Sequence, residues 1–385
     1  MLRVTTKDGL SQDPLVRIIR DSCYGENASA IAELFRHTLR SYHNDDDGYL
    51  SDDSLQSITS NLLSVIPSAY KVNMVGLFNV YKIRVKNRTY RCTWREMLAK
   101  GAYNQVYYAD LAAVDSPDLP ITPAVVKVTV ETEDFRVYLL ENVLHAILCQ
   151  LPVISSMVVP IRFPFKIVNR GIPAYSLAVV LDNPGLGHVG NFIENDLRND
   201  DQMFSILTQL AYMLHKAQNM CRMMHRDLKS DNIMLTEHKD VMETVDIPLI
   251  GLKFEYPTFR RKLLFIDFGM TRIEYSGEYL ACDCLHTETA FNPCHDLQYY
   301  CCTLIEDYSD ELRRNAPYFY AWLHELTTPL FKIIRDTYKN YNDAKSSVRH
   351  KRLTTVVARE TLSPYVPMNM LRLIRDRMNK SEKKA

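Results

Sequence analysis

Two short polar motifs in the second half of the chain constrain its fold most strongly. The first is HRDLKSDN at 225–232, and the second is DFG at 267–269. Together they place a proton-accepting carboxylate, a lysine and two oxygen ligands for a metal ion on neighbouring loops. Transfer of a phosphoryl group needs these parts, because one residue orients the attacking hydroxyl while others hold Mg²⁺ against the phosphate oxygens.

At these residues the chain resembles the eukaryotic-type protein kinases. The resemblance implies an enzyme that uses ATP and Mg²⁺ to phosphorylate a protein substrate. It assigns Asp227 as the catalytic base, Lys229 to the transferring phosphate, and Arg226 to a pocket that binds an activation-loop phosphate in many relatives. Asn232 and Asp267 would bind the nucleotide's Mg²⁺. A lysine at position 229 is typical of the serine/threonine kinases rather than the tyrosine kinases.

The resemblance also implies the fold class, an α+β, bilobal protein-kinase-like fold. An antiparallel β small lobe with one helix would occupy residues 76–182, and a mostly helical large lobe residues 183–385. The local patterns agree with this expectation. β-type runs occur at Leu77–Val85, Tyr90–Trp94, Val106–Leu111, Ala124–Val130, Val158–Val168 and Tyr175–Leu181, and helical patterns at Phe135–Gln150, Met203–Met220 and Ala321–Arg377.

Residues 1–75 are expected to form an N-terminal helical extension. Apolar residues recur along one helical face over Ala28–His43, and Ser51 is a good N-cap for a second helix that Pro67 ends. The acidic run at 44–48 lacks the closing glutamate of a calcium loop, so it is interpreted as a solvated turn. Docking of a partner, inhibition of the enzyme and bracing of the small lobe are three roles of the extension that the sequence leaves open.

Lys127 is the predicted phosphate-binding lysine of the small lobe. It lies among β-branched and apolar residues, where an unpaired lysine is costly. The resemblance supplies two partners, the nucleotide phosphates and a glutamate of the following helix. Glu141 is the preferred glutamate because it shares a helical face with Leu144, and Glu131 and Glu133 are the alternatives.

The expected glycine-rich nucleotide loop is degraded. The segment LAKGAYNQVY at 98–107 aligns with the kinase pattern, but only Gly101 remains of its three glycines. Ala99 and Asn104 occupy the other two positions, and asparagine tolerates left-handed backbone geometry better than most residues. The resemblance implies that Gly101 approaches the phosphates and that Val106 packs on the adenine.

Two departures from the kinase pattern follow the first motif. The 34 residues between Asn232 and Asp267 are about twice the ordinary number, and the excess at 236–262 is apolar enough to predict a structured hairpin or flap. A comparable insertion occurs in the protein kinases of large DNA viruses.

After the second motif there is no Ala-Pro-Glu, and only 26 residues separate Gly269 from Asp296, the expected anchor of the catalytic loop. This short segment is similar to that of haspin-type kinases.

The short segment also carries candidate phosphorylation and metal sites. The hydroxyl residues are Thr271, Ser276, Thr287 and Thr289, and none is favoured over the others. A zinc site formed by Cys282, Cys284, His286, Cys294 and His295 has unusual spacing, so free thiols are the preferred interpretation.

Composition limits which partners and which cellular compartment are expected for this protein. The formal net charge is zero, which gives no reason to expect nucleic acid as a partner, and no apolar run is long enough to span a membrane. The nine cysteines form no regular framework, which favours the cytosol or nucleus, of a host cell if the protein is viral. Two alternative functions stay open, namely a pseudokinase scaffold and a small-molecule or lipid kinase.

Overall fold

The computed structural model describes most of the chain between residues 13 and 382. The described residues are 13–24, 28–29, 31–33, 36, 66–72, 79–100, 104–129, 135–168, 175–281, 291–337 and 359–382. The chain divides into two compact units. We call Met1–Asn183 with Glu274–Thr287 the barrel unit, and Pro184–Ile273 with Glu288–Ala385 the helix-rich unit.

Seven strands of the barrel unit close on themselves. They are β1 (Ser68–Val72), β2 (Val80–Val85), β3 (Arg88–Lys100), β4 (Asn104–Ala113), β5 (Thr122–Thr129), β6 (Ile161–Val168) and β7 (Tyr175–Asp182). The order around the barrel is β1-β2-β3-β4-β5-β7-β6. All neighbours pair antiparallel except β1 and β6, a parallel pair that joins the two ends of the sheet.

The predicted fold class, a bilobal fold with an antiparallel small-lobe sheet and an N-terminal helical extension, is therefore wrong. The structure has a mixed α+β fold with a closed seven-stranded barrel. The strand that closes it, β1, lies inside the segment 1–75 that was expected to be helical. Its parallel pairing rests on two register positions, Ser68 opposite Lys166 and Ala69 opposite Ile167. A contact between strands about 100 residues apart leaves no local pattern in a five-residue run.

The barrel interior is filled by alternate residues of the strands, as a period of two requires. Trp94 lies at the centre of the aromatic packing inside the barrel. Its ring centroid is 4.5 Å from that of Tyr81 and 4.7 Å from that of Tyr107. The buried core cluster consists of Ala69, Tyr81, Ile83, Cys92, Trp94, Ala109, Leu111, Ala124, Val126, Val128, Phe163, Phe165, Ile167, Ala178 and Val180. Because Lys127 alternates with Val126 and Val128, its side chain lies on the opposite face of β5.

Two helices of the barrel unit pack against each other, α1 (Pro14–Asp21) and α2 (Phe135–Leu148). Asp13 caps α1 by accepting hydrogen bonds from Leu15 N at 2.9 Å and Val16 N at 3.3 Å. The buried face of α1 consists of Leu15, Val16, Ile18 and Ile19. The sequence analysis did not predict α1, but α2 begins at the predicted residue and ends two residues before the predicted one.

The predicted helix over Ala28–His43 is described only in part. Residues 28, 29, 31–33 and 36 are helical, with Ile31 and Ala32 buried. The acidic turn at 44–48 and most of the second predicted helix lie outside the described residues.

The helix-rich unit surrounds the two motifs with helices and short strands. Its elements are β8 (Gly185–His188), α3 (Val189–Asn195), α4 (Asp200–Cys221), β9 (Ile233–Glu237), β10 (Met242–Ile247), β11 (Leu252–Pro257), β12 (Arg261–Phe265), α5 (His295–Asn315), α6 (Pro317–Thr337), α7 (Arg359–Leu362) and α8 (Pro367–Glu382). A further two-stranded sheet joins β13 (Arg272–Tyr275) to β14 (Glu278–Ala281). Among the helices that the structure describes, none is long and apolar enough to cross a membrane.

The insertion between the two motifs contains the predicted hairpin. β10 and β11 pair antiparallel from Met242 opposite Pro257 to Ile247 opposite Leu252, which confirms a structured hairpin within 236–262. The strands on either side of it, β9 and β12, pair with each other in a sheet completed by β8. Because β9 follows the first motif and β12 precedes the second, this pairing brings the two motifs together.

Candidate active site

The loop at 225–232, which we call the catalytic loop after its predicted role, follows directly from α4. Asn199 caps the start of this helix by accepting a hydrogen bond from Gln202 N at 3.1 Å, and Arg222 ends it with a left-handed φ of 45°. Nearly all apolar residues along α4 are buried. The loop at 225–232 therefore starts from a helix that is fixed by the core.

Three of the predicted catalytic residues contact each other in this loop. The side-chain amide of Asn232 donates two hydrogen bonds to Asp227, to the backbone carbonyl at 2.8 Å and to the carboxylate Oδ2 at 2.9 Å. Lys229 Nζ lies 3.4 Å from the same Oδ2. The Asp227 carboxylate is thus held on one side by an amide and a cation, with about a quarter of its side chain exposed.

Asp296, at the start of α5, anchors the backbone of the loop. Its carboxylate accepts hydrogen bonds from the backbone N–H groups of His225 and Arg226, each at 2.8 Å. Arg226 is held there with a left-handed φ of 68°, a backbone conformation that is strained for a residue other than glycine. Burial acts to raise the pKa of Asp296, but the hydrogen bond and charge of His295, the charge of His225 and the N–H of Arg226 together lower it below its ordinary value.

His225 ties the catalytic loop to the second motif. Its buried ring places Nε2 2.9 Å from the Ile266 carbonyl, and it lies 5.5 Å from the ring of Phe268. The Ile266 N–H in turn donates to the Asn232 carbonyl at 3.1 Å. Asp267, the next residue, has a left-handed φ of 64°. The two predicted metal ligands, Asn232 and Asp267, therefore stand on backbone segments that are hydrogen-bonded to each other.

These two residues fit a magnesium ion by the chemistry of their donor atoms. Both amide protons of Asn232 are used on Asp227, which leaves its carbonyl oxygen as an oxygen ligand. Asp267 supplies a carboxylate, and Mg²⁺ prefers oxygen ligands of both kinds.

In the barrel unit, Lys127 and Glu141 form an ion pair. Lys127 Nζ lies 2.5 Å from Glu141 Oε1, with 17% of the lysine side chain and 7% of the glutamate side chain exposed. Val106 of β4 is directly opposite Lys127 of β5, so the two side chains share one face of the sheet. The alternative partners Glu131 and Glu133 lie outside the described residues, as does Gly101.

The strands that flank Gly101 are long, and their register shifts between Trp94 and Met97 and again between Met97 and Ala99. β3 ends at Lys100 and β4 begins at Asn104, with Ala99 opposite Val106 and Lys100 opposite Gln105. Asn104 is an extended residue paired with Thr129, so its tolerance of left-handed geometry is not used.

The candidate phosphorylation sites differ in accessibility. Thr271 is fully buried and its hydroxyl donates to the His225 carbonyl at 3.2 Å, which makes it part of the loop's support. Ser276 is exposed in the turn between β13 and β14. Thr287 and Thr289 lie outside the described residues, as do Cys282, Cys284 and His286 of the possible zinc site. Cys294 of that site is a buried free thiol, and His295 contacts Asp296 at 3.3 Å.

One residue of this site escaped the sequence analysis, Tyr299 of α5, and a second tyrosine of the same element, Tyr308, contacts the loop away from the proposed base. The Tyr299 hydroxyl donates to Asp227 Oδ1 at 3.3 Å, and the Tyr308 hydroxyl donates to Asp231 Oδ1 at 3.4 Å. The available signal was helical spacing, because Tyr299 follows the anchor Asp296 by one turn and faces the same loop.

A carboxylate, a lysine and two oxygen donors on an anchored pair of loops are the parts that a kinase needs. The family model for the haspin-like kinase domain matches residues 176–371, just over half of the chain. The chain therefore belongs to the haspin-like kinases, a family of eukaryotic-type protein kinases. The matched region contains Asp227, Asn232 and Asp267 but not Lys127. No curated protein matches the chain significantly.

Proposed function

We propose that this chain is an active serine/threonine protein kinase that transfers the γ-phosphate of ATP to a protein hydroxyl. One set of contacts carries the proposal. The Asp227 carboxylate is oriented by Asn232 and neighboured by Lys229 on a loop whose backbone is fixed by Asp296. A base that is held in one orientation is what proton transfer from a bound hydroxyl requires.

Each residue has a distinct proposed role. Asp227 orients the substrate hydroxyl and accepts its proton, while Lys229 offsets negative charge on the transferring phosphoryl group. Arg226 precedes Asp227 in the same loop, and its side chain is buried and its backbone strained. Its proposed role is to support the position of Asp227.

The nucleotide-binding residues are proposed for each unit by itself. Asn232 and Asp267 would hold Mg²⁺, which neutralises charge on the phosphate oxygens when bound. Lys127, oriented by Glu141, would bind the α- and β-phosphates, and Val106 on the same sheet face would contact the adenine. Gly101 would allow the backbone to approach the phosphates.

A pseudokinase scaffold is the alternative that one observation favours, namely the loss of two glycines around Gly101. Against it, the Lys127–Glu141 pair is intact and largely buried, and a buried ion pair gives a scaffold no clear advantage over apolar packing. A small-molecule or lipid kinase is a second alternative, and Lys229 favours a protein kinase over it.

We further propose a relationship to the protein kinases of large DNA viruses and residence in the cytosol or nucleus. The first is supported by the 34-residue spacing and its hairpin, β10–β11. The second is supported by free cysteines that are mostly buried and unpaired in the part of the chain that the structure describes. Grouping of the sequence with cellular kinases, or retention of a tagged protein in the secretory pathway, would contradict these two proposals.

A substrate panel tests the proposed specificity. Purified full-length protein is incubated with γ-labelled ATP and Mg²⁺, together with casein, histones, matched peptides that contain serine, threonine or tyrosine, and small alcohols. We expect label on serine or threonine of the proteins and peptides. Label confined to small alcohols would favour the small-molecule alternative, and label on none of them while ATP still binds would favour the scaffold.

A further inference from the structure

The two oxygens of the Asp227 carboxylate have different partners. Oδ2 is near Asn232 Nδ2 at 2.9 Å and Lys229 Nζ at 3.4 Å. Oδ1 accepts a hydrogen bond from the Tyr299 hydroxyl at 3.3 Å. Tyr299 is the only one of these partners that comes from outside the catalytic loop.

Helix α5 fixes the position of Tyr299. Its side chain is more than nine-tenths buried, and it lies one turn after Asp296, which holds the loop backbone. The first turns of α5 therefore contact the loop twice, at the backbone through Asp296 and at the proposed base through Tyr299. The distance from Tyr299 to Asp227 cannot change much unless the loop leaves its anchor.

We propose that Tyr299 is a positioning residue for Asp227 in phosphoryl transfer, an inference that rests on the proposed kinase function. The χ2 torsion of an aspartate has a broad energy minimum, so a carboxylate that is hydrogen-bonded at only one oxygen can rotate about that contact. A second hydrogen bond at Oδ1 fixes the plane of the carboxylate. Small errors in the placement of a general base reduce the rate strongly, because proton transfer needs a short and aligned approach.

The structure offers a matched control further along α5, at Tyr308, where non-helical backbone angles (φ −130°, ψ 23°) kink the helix. Tyr308 donates to Asp231 Oδ1 at 3.4 Å, nearly the same contact with the same kinds of group on the same loop. Asp231 has no proposed role in transfer and its side chain is 56% exposed. Removing either hydroxyl deletes one tyrosine–aspartate hydrogen bond, but only Tyr299→Phe deletes one at the base.

The test measures single-turnover phosphoryl transfer to a threonine peptide by wild type, Tyr299→Phe and Tyr308→Phe. It also measures KM for ATP and peptide, and the melting temperature. We expect Tyr299→Phe to lower the transfer rate constant about tenfold, as loss of a hydrogen bond to a charged group would, with both KM values unchanged. Tyr308→Phe should stay within about twofold of wild type, and both variants should melt at similar temperatures.

Three results would overturn the inference. Equal rates for the two variants, a loss expressed in KM, or a rate loss matched by a fall in melting temperature that Tyr308→Phe lacks would each assign Tyr299 a structural role. Absence of transfer by the wild-type protein would instead refute the proposed kinase function on which the inference depends.

Discussion

Replacing Asp296 with asparagine should loosen the catalytic loop and destabilise the helix-rich unit. The carboxylate accepts hydrogen bonds from two backbone N–H groups, those of His225 and Arg226, each at 2.8 Å. Asparagine has nearly the same shape but only one acceptor oxygen, so its NH₂ group must face the other backbone donor. One charge-assisted hydrogen bond is lost and one buried N–H is left without an acceptor, which together cost about 3 kcal/mol.

The pH dependence of this loss has a defined sign. The pKa of Asp296 is lowered in the folded protein from the unfolded value of 3.8. Its contribution to the free energy of unfolding is therefore complete above pH 3.8 and is lost as the pH falls through the lower folded value. The stability difference between wild type and Asp296→Asn should be constant near neutral pH and narrow below pH 3.8.

The assay combines urea denaturation with amide hydrogen exchange of the peptide that contains the loop. Asp310→Asn is the control, because Asp310 is on the same helix with 81% of its side chain exposed, and it should change stability by less than about 0.5 kcal/mol. We expect Asp296→Asn to speed exchange at His225 and Arg226 and to abolish transfer, since Arg226 is strained and relaxes when released. Stability and exchange equal to those of the control would refute this account of the anchor.

Three other substitutions have defined outcomes. Glu141→Gln should raise the KM for ATP severalfold by removing the negative charge that Lys127 contacts, and an unchanged KM would contradict the role proposed for this pair. Asp13→Ala should lower stability by about 1 kcal/mol in thermal melts by removing the cap of α1, whereas Asp13→Asn should keep most of it. Gly190→Ala should cost about 1–3 kcal/mol, because its Cβ would lie 2.4 Å from the Tyr308 hydroxyl; an unchanged melting temperature would show that the ring moves aside.

The sequence predicted the loops better than the sheet that precedes them. Asp227, Lys229 and Asn232 lie within six residues, so their mutual contacts follow from one short turn. The β10–β11 hairpin was also predictable, since antiparallel neighbours in sequence need only a short connection.

Barrel closure was not predictable from local patterns. The parallel pairing of β1 with β6 depends on two register positions between distant segments, and β1 follows a proline in a region with helical periodicity. Helix α1 is only eight residues long, which is too short for its apolar spacing to stand out before its contact with α2 is known.

Tyr299 shows the same limit within the site. Its contact with Asp227 joins residues 72 positions apart, and a tyrosine in an amphipathic helix is ordinarily a core residue. The resemblance predicted the anchor at Asp296, which turns this face of α5 toward the loop, but the contact of Tyr299 with Asp227 is visible only in the folded chain.

The central claim is tested most directly by transfer of labelled γ-phosphate to a protein substrate with Mg²⁺. Wild type is compared with Asp227→Asn, which removes the proposed base, and with Lys127→Met, which removes the proposed phosphate-binding cation. We predict incorporation by wild type that falls by at least about a hundredfold in both variants, all three folding equally well. Incorporation that is absent from wild type, or equal in the three proteins, would contradict the assignment of this chain as an active kinase.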